Sequence, residues 1–110
     1  MQVNGDIWFE LTPAVRLTER DILLLENIRE IGSLTQAAKA TGISYKTAWD
    51  ALDKMNKYSK KSIIETCSGG KGGGNTIVTM YGVKLIAAYR RLESQHLQQL
   101  AQFSKSILEV

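Results

Sequence analysis

Apolar residues recur at helical spacing in several segments of the chain. In the first segment, Leu24, Ile28 and Ile31 are four and three residues apart, which places them on one face of an α-helix. Thr18 precedes this segment and Gly32 follows it, and these are typical residues for the N-cap and the C-terminal end of a helix. The pattern predicts a first helix that starts after Thr18 and ends at Ile31.

Two further helices are predicted in close succession. Ser33 and Ser44 are both typical N-cap residues, and Gly42 lies between them, where the chain must turn. The third helix carries its apolar residues on one side only, at Ala48, Leu52 and Met55. Two helices joined by a tight turn that contains glycine are typical of a helix-turn-helix motif.

Three shorter segments are rich in residues that favour β-structure. Residues 7–11, which precede Pro13, predict a strand or an extended arm, and residues 63–66 and 76–80 predict two further strands. The last two segments enclose a glycine-rich stretch that contains Lys71. They therefore predict a β-hairpin with a flexible tip, which is the wing of a winged helix.

A long apolar series follows Gly82 and continues almost to the end of the chain. Its members keep a spacing of four and three residues and are Leu85, Tyr89, Leu92, His96, Gln99 and Phe103. A helix of this length is much longer than the average of about 11–12 residues, and its apolar stripe needs a cover. In so small a chain the simplest cover is the same helix of a second copy, so the pattern predicts a homodimer.

Together these elements predict a mainly α fold with a small β-hairpin, arranged as a single winged helix-turn-helix domain over residues 1–110. The predicted parts are a helix-turn-helix over about 33–59, a wing over about 63–80 and a dimerisation helix over about 81–107.

Composition limits the class of protein. The chain has 110 residues, of which 44% are apolar and 23% charged, which is enough for one compact core and unlike a disordered chain. A single cysteine and a single histidine exclude a disulfide scaffold and a Cys/His zinc site, and we interpret Cys67 as a packed small side chain rather than a redox sensor. No run of apolar residues is long enough to span a bilayer. We expect a cytoplasmic protein with no membrane association.

Charge is distributed unevenly along the chain. The formal net charge is +3, but residues 1–38 carry three basic and six acidic side chains, whereas residues 39–71 carry seven basic and three acidic ones. The basic segment coincides with the predicted helix-turn-helix and wing. This coincidence favours double-stranded DNA as the partner.

The polar side of the third helix is the predicted DNA-binding surface. Residues near the N-terminus of a recognition helix reach base edges in the major groove, and lysines further along contact phosphates. The predicted DNA-binding residues are Ser44, Tyr45, Lys46, Thr47, Trp49, Asp50 and Lys54 on this helix and Lys71 on the wing. Lys57, Lys60 and Lys61 are further candidates for the phosphate backbone. Asp50 has two possible roles, which are to accept a hydrogen bond from cytosine N4 or to orient Lys46 four residues away.

Several short segments resemble one known family. They are GSLTQAA from Gly32, GISYKTAWDAL from Gly42, the Met55-Asn56 pair, GGKGGG from Gly69, and Thr79 with Tyr81-Gly82. In this order they are similar to the N-terminal DNA-binding domain of ModE-type proteins, which are LysR-like, molybdate-responsive transcriptional regulators of bacteria. The resemblance implies a dimeric winged helix-turn-helix that binds a palindromic operator in promoters connected with molybdate uptake.

The resemblance also implies a difference from full-length members of that family. In those proteins a second region of small β-barrels binds molybdate, whereas this sequence ends at Val110, directly after the predicted long helix. We therefore expect no cofactor, and DNA binding that is constitutive or controlled by a separate partner.

Two other functions are less consistent with the sequence than DNA binding. The glycine-rich stretch differs from a nucleotide-binding P-loop, because Glu65 stands where the first glycine is needed and Gly72 where a serine or threonine should follow the lysine. No set of residues typical of catalysis is present, so the chain is not predicted to be an enzyme. The remaining alternative is a winged-helix protein-interaction adaptor, which has no need of seven clustered basic residues.

Overall fold

The computed structural model describes residues 1–67 and 75–107, which contain four helices and four short strands. The elements in chain order are β1 (Phe9–Thr12), β2 (Val15–Leu17), α1 (Glu19–Ile31), α2 (Leu34–Thr41), α3 (Tyr45–Tyr58), β3 (Ile64–Cys67), β4 (Asn75–Val78) and α4 (Met80–Ile107). Strand β1 pairs with β2 and β3 pairs with β4, both antiparallel. The predicted mainly helical class, with a small hairpin and a long C-terminal helix, is confirmed.

The N-terminal segment forms a hairpin rather than the single strand that was predicted over residues 7–11. Strand β1 starts two residues later, at Phe9, and β2 returns from Val15 beside it. Pro13 does not end the β-structure; with Ala14 it makes the turn, and the Ala14 N–H donates to Thr12 Oγ1 at 3.2 Å. Proline is a preferred turn residue because its φ angle is already fixed.

The core forms where α1, α2 and α3 meet β2 and α4. Its buried apolar side chains include Leu17, Ile22, Leu24, Leu25, Ile28, Ala37, Ala38, Ala48, Leu52, Met55, Ile86 and Tyr89. The predicted apolar side of α3 is therefore confirmed. In α1, however, Ile31 is 44% exposed, so its place in the predicted stripe is wrong. The stripe of α1 ends at Ile28, and Ile31 lies in the last turn beyond it.

The predicted helix starts are confirmed by their capping hydrogen bonds. The Asp21 carboxylate accepts from the Thr18 N–H at 2.8 Å and from its hydroxyl at 3.0 Å. The Ser33 hydroxyl oxygen accepts from the Gln36 N–H. Gly42, between α2 and α3, has a φ of 81°, a left-handed conformation that costs glycine less than any other residue. These local interactions set the helix-turn-helix geometry.

The N-terminal arm, residues 1–8, runs antiparallel along α4. The Val3 N–H donates to Ser104 Oγ at 2.8 Å, and the Tyr89 hydroxyl donates to the Ile7 carbonyl at 3.0 Å. Between these contacts, His96 Nε2 lies 3.1 Å from the Gly5 carbonyl oxygen. Tyr89 is almost fully buried, and this burial raises the pKa of its hydroxyl. The N-terminal arm and the core therefore cover part of the apolar stripe of α4. For that part, the expectation that a second copy provides the cover is wrong.

The outer part of α4 keeps exposed apolar side chains. Leu92, Leu97 and Phe103 are 41%, 57% and 49% exposed. A helix of 28 residues is about 42 Å long, and the described molecule measures 62 × 27 × 22 Å. The first turns of α4 pack in the core, and the rest of the helix therefore extends well beyond it.

Arg90 links α4 to α1 through a cluster of carboxylates. Its guanidinium donates two hydrogen bonds to Glu26, at 2.6 and 3.1 Å, and Nη1 donates to Glu19 and to Glu93, each at 2.9 Å. These bonds, first of all those to Glu26, raise the pKa of Arg90 above its already high ordinary value. The guanidinium is therefore charged at every pH at which the protein is studied.

We expect Arg90→Ala to lower the free energy of unfolding by about 1–2 kcal/mol, because partly exposed ion pairs contribute about 0.2–1 kcal/mol each. The measurement is urea unfolding followed by circular dichroism. Arg91→Ala removes the same charge from the exposed neighbouring position and should change stability by less than about 0.5 kcal/mol. The deficit of Arg90→Ala should shrink at high salt. Equal stability of the two variants would contradict a structural role for this cluster.

Two kinds of feature are absent from residues 1–67 and 75–107. Within them no group of three or more His, Cys, Asp or Glu side chains is placed to hold a metal ion. In the same residues, no helix is both long and apolar enough to cross a membrane.

Candidate nucleic-acid interface

Helix α3 presents most of the predicted DNA-binding residues to solvent. Its core side is fixed by the buried Ala48, Leu52 and Met55. The residues exposed around the remaining surface are Ser44, Tyr45, Lys46, Trp49, Asp50 and Lys54, and Thr47 is half-buried. Lys71, the eighth predicted residue, lies outside the described residues. The structure therefore brings seven of the predicted residues together on one helix and its N-cap.

The N-terminus of α3 is held by a pair of hydroxyl side chains. Ser44 Oγ accepts from the Thr47 N–H at 3.1 Å and donates to Thr47 Oγ1 at 2.9 Å. This capping satisfies one of the backbone donors at the start of the helix. Ser44 and Thr47 thereby fix the first turn of α3, from which Tyr45 and Lys46 project.

Several side chains of α3 fall on two flanks of the helix, each of which borders a groove. Thr47, Asp50 and Lys54 line a groove of about 330 Å³ toward β2 and the start of α1. Trp49 and Asp53 line a groove of about 200 Å³ toward the β3–β4 hairpin. By the 100° rotation per residue, Lys46 and Lys57 project between the two flanks.

Two aromatic side chains are exposed at the N-terminal half of α3. Tyr45 is 53% and Trp49 50% exposed, although large aromatic residues contribute most to stability when they are buried. Exposed apolar surface beside charged residues is typical of an interaction surface. These two side chains lie at the same end of α3 as Lys46.

Asn56 fixes α3 to the wing. Its amide nitrogen donates to the Ile64 carbonyl at 3.0 Å, and its amide oxygen accepts from the N–H groups of Ile63 and Ile64 at 2.8 and 3.1 Å. Three hydrogen bonds from one side chain hold the end of α3 against the start of β3. In the sequence, Asn56 stands out only within the Met55-Asn56 pair of the family resemblance, whereas these contacts give it a positioning role.

The wing strands pair in the predicted antiparallel manner, from Ile64 opposite Val78 to Cys67 opposite Asn75. The strands lie at residues 64–67 and 75–78 rather than at 63–66 and 76–80. Cys67 is exposed at the end of β3, so the prediction that its side chain is packed inside is wrong. At the base of the wing, Thr79 Oγ1 donates to the Ser62 carbonyl at 2.6 Å.

Asp50 forms no ion pair among the residues that the structure describes, where every ion pair involves Arg90. The suggestion that Asp50 orients Lys46 through a salt bridge therefore finds no support in these contacts. Its carboxylate remains available to a ligand beside α3.

Two arginines near α3 were missed by the sequence analysis. Arg16 and Arg20 line the same groove as Asp50 and Lys54. They lie in the acidic first third of the chain, so a charge count along the sequence hides them. The pairing of Glu19 and Glu26 with Arg90, which offsets part of this acidic charge, appears only in the folded chain.

No family model matches this chain. Several curated proteins, however, are similar to it in sequence. The chain is 50% identical over 89 residues to the DNA-binding transcriptional dual regulator ModE of Escherichia coli, which covers 81% of this chain and 34% of that protein. It is 40% identical over 94 residues to the molybdenum transport protein ModE of Azotobacter vinelandii, which covers 86% and 35%. The chain therefore spans about a third of the length of the curated relatives it matches.

A solved structure supports the fold. A mutant of MepR from S. aureus, bound to an oligodeoxyribonucleotide, matches with a TM-score of 0.60 and 18% sequence identity over 78% of this chain and 64% of that chain. At this identity the likeness shows the fold alone. The predicted resemblance is confirmed by the sequence matches, and the chain is a winged helix-turn-helix protein similar to ModE-type transcriptional regulators over about four-fifths of its length.

Proposed function

We propose that the chain is a sequence-specific regulator of transcription that binds double-stranded DNA with α3 in the major groove. The observation that carries this proposal is the exposed surface of α3, which presents Lys46, Lys54 and Lys57 together with Asp50 and with two aromatic rings near its N-terminus. A major groove about 12 Å wide accepts a helix of this kind. The similarity to ModE regulators supports the proposal.

The proposal includes a homodimer that forms through α4. Leu92 and Phe103 are eleven residues apart, which places them within about 20° of each other around the helix, and both are exposed. They lie on the outer part of α4, beyond the turns that contact the core. A two-fold pair of α4 helices would cover these side chains and set the spacing of two recognition helices on a palindromic site.

The experiment that tests DNA binding starts from a pool of random-sequence duplexes. After rounds of selection, fluorescence anisotropy compares the selected duplex with a scrambled duplex of equal length at two salt concentrations. We expect tighter binding to the selected duplex and weaker binding to both at higher salt, since phosphate contacts release counterions. An absence of binding to any duplex would contradict the proposal and leave the protein-interaction adaptor.

Asp50→Asn tests how α3 reads sequence. If the carboxylate accepts a hydrogen bond from cytosine N4, we expect the variant to lose about 1–3 kcal/mol of discrimination at one base position. Its affinity for the scrambled duplex should rise slightly, because one negative charge near the phosphates is removed. The measurement is anisotropy against duplexes that differ at single positions. Asp53→Asn, on the other flank of the same helix, is the matched control, and the same change of base preference in both variants would contradict a specific contact by Asp50.

A further inference from the structure

A groove lies beside α3 on the side away from the wing. Basic residues from three elements of the fold line it. Arg16 comes from β2, Arg20 from the first turn of α1, and Lys54 from α3. All three side chains are exposed. The groove has a volume of about 330 Å³, which is enough for a phosphate group and part of a sugar.

Two carboxylates, those of Asp21 and Asp50, also line this groove. Asp21 is only 9% exposed, and the same oxygen of its carboxylate accepts two hydrogen bonds from Thr18. Glu19, which precedes Arg20, shares the guanidinium of Arg90 with Glu26 and Glu93 and is absent from the lining of the groove. Asp50 is the exposed carboxylate that lines the groove. The lining therefore carries three cations and two carboxylates, and of these carboxylates only that of Asp50 is exposed.

Arg16 is held in place by an aromatic ring. Its guanidinium carbon lies 4.6 Å from the centroid of the Trp8 ring, a cation–π arrangement that leaves the N–H groups free at the edge of the guanidinium plane. A guanidinium with free N–H groups is well suited to bind a phosphate through two parallel hydrogen bonds.

We propose that this groove binds the sugar-phosphate backbone of the DNA strand that borders the major groove on the side of α3 opposite the wing. This inference rests on the proposed function of α3. A helix about 10–12 Å in diameter fills a major groove about 12 Å wide, so backbone phosphates lie along both of its flanks. The wing lies on one flank, and Arg16, Arg20 and Lys54 lie on the other. The β1–β2 hairpin thus acts as a second arm that positions the duplex without reading its sequence.

The test compares Arg20→Ala and Arg16→Ala with Arg29→Ala. Arg29 is exposed on the last turn of α1, so its replacement removes the same charge from the same helix outside the groove. We expect the first two variants to bind the selected and scrambled duplexes more weakly by a similar factor. For each, the slope of log affinity against log salt should become shallower by about 1.8, which is about 0.9 for each lost phosphate contact, because the proposed dimer loses the contact in both copies. Arg29→Ala should keep the wild-type slope, and Arg20→Lys should restore most of it.

The outcomes separate the two proposals. If the wild-type chain binds no duplex, the proposed function fails and this inference fails with it. If the wild-type chain binds but Arg20→Ala and Arg16→Ala match Arg29→Ala, only the groove assignment is overturned. A third result would also overturn the groove assignment. Inorganic phosphate could raise the melting temperature of the unaltered chain but not that of the two variants, while both variants bind duplexes as the unaltered chain does. The groove would then bind a free anion. Thermal unfolding of each variant checks that it is folded, and Arg20→Ala keeps the stacking of Arg16 on Trp8 intact.

Discussion

A chain that carries both Leu92→Glu and Phe103→Glu is expected to sediment as a monomer and to bind its selected palindromic duplex at least about 100-fold more weakly than the unaltered chain. Two charges on the exposed seam would have to be desolvated in a dimer, and like charges would face each other across the two-fold axis. A monomer reads one half-site and loses the gain from binding two half-sites at once, which is typically about 10²–10⁴-fold. The slope of log affinity against log salt should fall to about half, because half of the phosphate contacts remain.

The matched control for this experiment adds the same two charges on the opposite side of α4. Ser94 and Ala101 are exposed and lie about 160–180° around the helix from the seam, so Ser94→Glu with Ala101→Glu should leave both the dimer and its affinity nearly unchanged. Analytical ultracentrifugation measures the first quantity and fluorescence anisotropy the second. A seam variant that stays dimeric would contradict dimerisation through this face of α4. A seam variant that becomes monomeric but keeps full affinity would contradict the two-half-site mode of binding.

The parts of the fold that the sequence predicted correctly depend on local interactions. Thr18 and Ser44 cap helices through residues three positions away, and the apolar side of α3 follows from its own spacing. The glycine between α2 and α3 was predicted correctly because a left-handed turn favours this residue wherever it occurs. Interactions of this range can be deduced from a short window of sequence.

The parts that were missed depend on contacts between distant residues. The N-terminal arm lies on α4 through contacts that join residues 82 to 101 positions apart, such as that of Val3 with Ser104. No periodicity within residues 1–8 indicates that α4 is their partner. The apolar stripe of α4 was consequently assigned entirely to a second copy, although Tyr89 packs inside the same chain.

The candidate site was predicted only in part, because it too depends on contacts between distant residues. The residues of α3 share a helix, so their common surface can be deduced from 100° per residue. Arg16 and Arg20 join that surface because β2 packs beside α3, which the sequence alone does not indicate. Their charges were also masked by Glu19 and Glu26, whose partner Arg90 lies more than 60 residues later. Charge counted along a chain therefore underestimates a basic surface when its acidic neighbours are paired elsewhere.

The close contact between α4 and the wing leads to the prediction with the largest expected effect on stability. Gly82 lies in the first turn of α4, and a Cβ atom there would be 2.5 Å from the Ile63 carbonyl oxygen and 2.6 Å from Val78 Cγ1. The carbonyl is not free to move, because it accepts a hydrogen bond from the Thr79 N–H at 2.9 Å. Helix propensity favours alanine over glycine by about 1 kcal/mol, whereas overpacking costs about 1–3 kcal/mol and occasionally more.

We therefore expect Gly82→Ala to lower the free energy of unfolding by about 2 kcal/mol, because a clash with backbone costs about 3 kcal/mol, the upper end of that range, and the gain in helix propensity offsets only about 1 kcal/mol of it. The measurement is chemical denaturation, with the melting temperature expected to fall by about 4 °C or more per kcal/mol. The control is Lys84→Ala, which introduces alanine two residues later in the same helix, at an exposed position where it meets no clash. Its free energy of unfolding should stay within about 0.5 kcal/mol of that of the unaltered chain. A Gly82→Ala variant that is more stable than the unaltered chain would mean that propensity dominates and that α4 does not lie this close to β3.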